Sequence, residues 1–313
     1  MSKKLVGLSQ INEELSGALN LLQERLGDFP VKDTTQGNII QGTASLLQRC
    51  ADIVDNKQSE KPLVRVLHHF ACSGGTLISK CISSMPNTYL LSEVHPTTHL
   101  NLGNNTEFRP TDVISLCRYG KLPNIDELSR NILESSVKRV SEFLSEIGSR
   151  LVIREHTHSD YCVGDRETGY SEVVKSLSHS FTIKSVVTIR DPIDSYLSLK
   201  NNDWAHFSPN NFEEYCRRYV TFLDNYDNSQ VFKYEAFVEN PIEQMKLICE
   251  YMELDFVDSF LDFFDTAVVT GDSGRKSSNI SKRTRREVSN EMQEEINKSQ
   301  NYRTIADRFH YEL

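Results

Sequence analysis

Apolar residues recur with two different periods along this chain, and the change from one to the other divides it. Over residues 1–58 the period is helical: Leu8, Ile11, Leu15, Ala18 and Leu22 return at three- and four-residue steps and so share one face. Ile39, Leu46, Leu47, Cys50 and Ile53 mark a second helix from about Asn38 to Val54. Between them the stretch from Gly27-Asp28-Phe29-Pro30 to Gly37 is rich in turn formers, so the pattern predicts a helical hairpin. Two heptads fall short of the three or four that would indicate a coiled coil. Such a hairpin can pack on the main domain or join two copies as a homodimer.

After Lys61-Pro62 short apolar runs alternate with helical patterns. The runs predict strands at Leu63–Phe70, Thr88–Ser92, Leu151–Arg154, Ser185–Arg190 and Gln230–Tyr234. Helical stretches fall near 76–84, 125–148, 170–179, 193–201, 212–225 and 241–252. Strand–helix alternation implies right-handed crossovers, hence an α/β domain over 59–313 with a central parallel sheet of about five strands between two helical layers. Ligands of such sheets bind beyond the carboxyl ends of the strands. Chemistry is therefore to be sought in the segment just past each strand.

Composition narrows the class. With 35 Lys+Arg against 44 Asp+Glu the formal charge is −9, which argues against nucleic acid and against an anionic membrane as partners. No apolar run reaches the roughly 18 residues of a membrane span. Seven cysteines, odd in number and without a CxxC pair, suit reduced thiols and a cytoplasmic protein.

The first strand runs into Ala71-Cys72-Ser73-Gly74-Gly75-Thr76, where a helix opens. Two glycines let successive N–H groups converge, and the helix start adds free N–H groups and a positive dipole end, which together make an anion cradle. The fourth strand ends in Arg190-Asp191-Pro192, and the next helix carries Asp194 and Ser198. A guanidinium at a strand end can grip a phosphate with two parallel bonds, and Pro192 suits a first helical turn. Past the third strand come Arg154-Glu155-His156-Thr157-His158-Ser159-Asp160, and the second ends at Ser92-Glu93. An imidazole of ordinary pKa accepts protons near neutrality.

In this order these segments resemble the sulfotransferase superfamily, whose members use 3′-phosphoadenosine-5′-phosphosulfate (PAPS). Ser73-Gly74-Gly75-Thr76 resembles its 5′-phosphosulfate loop, and Arg190-Asp191-Pro192 with Asp194 and Ser198 its 3′-phosphate motif. Tyr234, in Tyr234-Glu235 followed by Asn240-Pro241, resembles the residue that contacts adenine. The segment from Thr270 to Lys276 resembles the loop that closes over the 3′-phosphate, with Arg275 and Lys276 as cations and Lys282, Arg283, Arg285 and Arg286 extending the run. The resemblance implies a P-loop-like fold, PAPS as co-substrate without a metal, and a small-molecule or carbohydrate acceptor. It further implies His156 as base, with His158 and Glu93 as alternatives, and Trp204 and Phe207 as walls of the acceptor pocket. A zinc site from His95, His156, His158 and Asp160 is a weaker expectation. The chain departs from the family at Cys72, which stands where a Lys or Arg is usual. His68, His69 or Lys80 would then have to supply that cation. Two rival readings remain: a P-loop kinase or nucleotide hydrolase, and a nucleotide-binding module without catalysis.

Overall fold

The computed structural model describes residues 61–100, 111–164, 169–270, 279–282 and 284–312. The expected helical hairpin of 1–58 and the cations Arg275, Lys276 and Arg283 lie outside the described residues.

Five strands form the core: β1 Leu63–His69, β2 Thr88–Val94, β3 Arg150–Glu155, β4 Thr182–Ile189 and β5 Gln230–Lys233. All four pairings are parallel and the order across the sheet is β2-β3-β1-β4-β5, as the alternation of strands and helices implies. The connecting helices include α1 Gly75–Ser83, α2 Val113–Tyr119, α3 Ile125–Glu146, α4 His158–Tyr161, α5 Glu172–Leu177, α6 Pro192–Asn201 and α7 Phe212–Asn225. After β5 come α8 Tyr234–Glu239, α9 Pro241–Met252, α10 Phe260–Phe263, α11 Asn290–Lys298 and α12 Gln300–Phe309. β4 starts at Thr182, ahead of its apolar run, because Ile183 and Lys184 are only half-buried; β2 runs on to Val94 through Ser92 and Glu93.

Alternation along β1 sends successive side chains to opposite faces of the sheet. Leu67 joins Leu77, Ile78, Val152, Val186, Phe237, Met245 and Ile248 beneath α1 and α9. Val64 and Val66 turn to the other face, against Val137, Ile153, Val173 and Leu177. A third cluster at the carboxyl end of β4 is largely aromatic: Phe70 stacks on Tyr219 at 4.4 Å, with Tyr161, Tyr215 and Phe222 around it. The same rule separates two neighbours. His68 and His69 end β1 on opposite faces, and each heads a different polar cluster.

Candidate functional site

The loop after β1 is held by its own backbone and one hydroxyl. Cys72 has φ 63° and Gly74 φ 93°, left-handed values that turn the chain into α1. The buried Ser73 hydroxyl lies 2.8 Å from the Phe70 carbonyl and 3.0 Å from that of Thr188. It thus ties the loop to β4. A methyl group at Gly74 would meet the Tyr234 ring at 2.4 Å, and one at Gly75 the His69 ring at 2.4 Å. Both glycines are required by close approach.

Beside this loop stands Arg190. Its guanidinium lies 4.7 Å from the centre of the Tyr234 ring, and its buried Nε has no hydrogen-bond partner. A buried donor without an acceptor is costly and suits an anionic ligand. Arg190 escapes the two carboxylates nearest in sequence because Arg285 takes them, bonding Asp191 and reaching Asp194 at 3.3 Å. Cys72 lies against Ser198 and Asn202, with Arg190 and Arg286 close by; burial pushes its thiol up, so it is uncharged. The fold therefore gathers Ser73–Thr76, Arg190, Ser198 and Tyr234 at one place. Tyr234 itself is buried between Gly74 and Arg190, and so supports the guanidinium.

The second half of the site is a chain of buried polar contacts. Arg154 donates to Thr76 Oγ1 at 3.0 Å and to His69 Nε2 at 2.9 Å, and pairs with Glu93 Oε1 at 2.6 Å. It also reaches Ser92 Oγ and the Thr270 carbonyl, each at 3.1 Å. Glu93 Oε2 takes the Nδ1–H of His156. Glu93 can reach both because β2 breaks register with β3 between Leu91 and Val94, with Glu93 at φ 58°. Such irregularities re-aim a side chain. The two alternative bases thus form a pair, with His156 Nε2 left buried and without a partner.

Charge within the cluster is set by its neighbours. Burial would raise the Glu93 carboxyl, but His156 and Arg154 outweigh it and hold it down at about 2. Burial and the Arg154 charge press His69 down to about 3, so it is neutral and accepts from Arg154. His158 is held at about 3 by burial and by His156 and His206; its ring lies 6.0 Å from His156, 5.7 Å from His206 and 6.4 Å from Trp204. Trp204 thus borders His158, whereas Phe207 is buried with Arg218 against its ring. His95 is engaged with Asp160 at 3.0 Å, and among the described residues no group could hold a metal ion.

Two solved structures similar to this chain are sulfotransferases. One is the sulfotransferase domain of the olefin synthase from Synechococcus PCC 7002, at 15% identity and TM-score 0.48, covering 81% of this chain and 97% of that one. The other is mouse sulfotransferase SULT7A1 complexed with PAP, at 12% identity and TM-score 0.38, covering 78% and 88%. No protein-family model and no curated protein matches the chain. At such identities residue roles do not transfer.

Arg154 is the residue that links the two halves. The sequence points to His68, His69 or Lys80 in place of the missing loop cation. In the structure the cation at Thr76 comes from β3, and its only trace in the sequence is the Arg154-x-His156 spacing.

Proposed function

We propose that the chain is a PAPS-dependent sulfotransferase acting on a hydroxyl or amine of a small molecule or carbohydrate. The observation that carries this reading is the position of Arg154, which joins the anion loop through Thr76 to the Glu93–His156 pair. A base and an anion cradle in one connected cluster suit transfer of an anionic group to a protic acceptor.

The residues fit the co-substrate. The N–H groups of Gly74–Thr76 and the Arg154 guanidinium would hold the 5′-phosphosulfate; Arg190, with its free Nε, and Ser198 would hold the 3′-phosphate. Glu93 fixes the Nδ1–H tautomer of His156, so Nε2 carries the lone pair that takes the acceptor proton. As that proton moves, the acceptor oxygen or nitrogen bonds to sulfur, and the bond from sulfur to the phosphate oxygen breaks, releasing 3′,5′-adenosine bisphosphate. Arg154, bonded to Thr76, would then stabilise the charge that grows on the leaving oxygen. His158, held neutral, and Trp204 would border the acceptor.

Calorimetry tests the reading directly. The full chain should bind 3′,5′-adenosine bisphosphate in preference to ATP, and Arg190→Ala should lose that binding by at least about tenfold, as for a charged bidentate contact. Preference for ATP would favour the kinase or hydrolase reading. Binding of the bisphosphate with no sulfated product from any acceptor in a metabolite extract would favour the non-catalytic module.

A further inference from the structure

The face of the sheet opposite this site carries a second ordered array. β1 and β3 pair with Leu67 beside Arg154, which brings His68 and Glu155 side by side; β1 and β4 pair with Val66 beside Ser185. His68 Nδ1 lies 2.5 Å from Glu155 Oε2, and His68 Nε2 lies 3.0 Å from Ser185 Oγ. Glu155 also accepts from the Ser171 hydroxyl, from the Val173 N–H at 3.2 Å and from the Tyr226 hydroxyl at 2.8 Å. Burial would raise its carboxyl, but His68, Ser171 and Tyr226 hold it at about 2, so it is ionised and accepts only. His68 therefore carries its hydrogen on Nδ1 when neutral and offers the Nε2 lone pair to the Ser185 O–H.

A buried polar network satisfying itself would account for His68 and Glu155, both fully enclosed. It does not account for the third member. Ser185 is half-buried and lines a cavity of about 330 Å³ with Tyr170, Ser171, Asn225, Tyr226 and Ser229. The residue whose hydroxyl bonds the imidazole thus lines a pocket, and carboxylate, imidazole and hydroxyl stand in the order that activates a nucleophile.

We propose that Ser185, His68 and Glu155 are a nucleophile, base and orienting carboxylate acting on short, polar carboxylic esters bound in this cavity. Its size, and a lining that sets Ser, Tyr and Asn side chains among largely apolar surface, with Lys175 and Asp227 also present, suit a small acyl group on a polar alcohol. Ser185 Oγ bonds to the ester carbonyl carbon as its proton passes to His68 Nε2. The carbon–alkoxide bond then breaks and the alkoxide leaves as the alcohol with that proton. Water attacks the acyl-serine, gives a proton to His68 and releases the carboxylic acid as Ser185 recovers its own. This activity is independent of the sulfotransferase reading, since it needs no nucleotide.

A fluorophosphonate probe tests the array on the full chain, because Oγ attack at phosphorus with loss of fluoride needs only nucleophile and base. Peptide mapping should find the adduct on Ser185. Labelling should disappear in Ser185→Ala and slow by about a hundredfold or more in Glu155→Gln and His68→Gln. A folded wild-type chain with no Ser185 adduct overturns the proposal, as does equal labelling in a folded Glu155→Gln. Should both buried variants fail to fold, Ser185→Ala, which removes one half-buried oxygen, still decides: hydrolysis of p-nitrophenyl acetate at the wild-type rate in that variant overturns it.

Discussion

At the scale of single residues, the proposed reaction divides one task between His156 and Glu93. The imidazole has a buried nitrogen with nothing inside the protein to bond, whereas both oxygens of Glu93 are occupied, one by Arg154 and one by His156. Replacing each should have a different signature. His156→Gln is expected to lower kcat by about a hundredfold or more while leaving bisphosphate affinity within about twofold of wild type. Glu93→Gln keeps the shape but drops the charge that pairs with buried Arg154. It should lower the unfolding free energy by about 2 kcal/mol and weaken nucleotide binding as Arg154 shifts from Thr76. Isothermal calorimetry and thermal melts on the two variants separate these outcomes; equal losses of affinity would place His156 in binding and not in proton transfer.

At the scale of elements, the anion loop depends on what lies behind it. Gly75 opens α1 directly over the His69 ring, and that ring accepts from Arg154. In Gly75→Ala the new methyl must push His69 aside, an overpacking expected to cost about 1–3 kcal/mol. A melt should show that loss, and calorimetry should show weaker bisphosphate binding though none of the side chains proposed to hold the nucleotide has changed. The loop and the Arg190 segment are local motifs at strand ends, so their place was legible in the sequence, as were the five strands. The Glu93–His156 pair was not. It depends on an irregularity where β2 meets β3, 62 residues along the chain from Ser92 to Arg154, and periodicity within one strand is blind to it. In the sequence Arg285 only extends a basic run, yet it neutralises Asp191 and Asp194, a choice that tertiary packing makes. The closing helices α11 and α12 are missing from the pattern-based expectation, although Met292 with Ile296 and Tyr302 with Ile305 and Ala306 carry helical spacing onto the aromatic cluster.

At the scale of the whole molecule, the buried ionisable groups set how stability varies with pH. His69 and His158 have pKa values near 3 in the folded chain against an ordinary 6.5. Between these values the unfolded chain binds more protons, so stability falls as pH drops from about 6.5 towards 3. Glu93 and Glu155, both held at about 2 against 4.5, add a second loss of the same sign below about pH 4.5. Asp191 and Glu235, raised by burial, oppose it in the acid range. The melting temperature should therefore decline from about pH 6.5, and His158→Gln should flatten the first part of that decline. A wild-type melting temperature constant between pH 7 and 5 would contradict the neutral, buried state of these imidazoles. Net charge, by contrast, predicts little here: −9 overall coexists with a cluster of placed cations, because fields are screened within about 8–10 Å at physiological salt.

The adjacent histidines at the end of β1 make the two clusters hostage to a single register. A side-chain period of two means that inserting or deleting one residue within Leu63–His69 would exchange the faces to which His68 and His69 point. Arg154 would lose His69 and Glu155 would lose His68 in the same event. Substitutions can tune either face by itself; changes of length in this strand cannot, so the two clusters can vary in chemistry separately but are inherited as one frame.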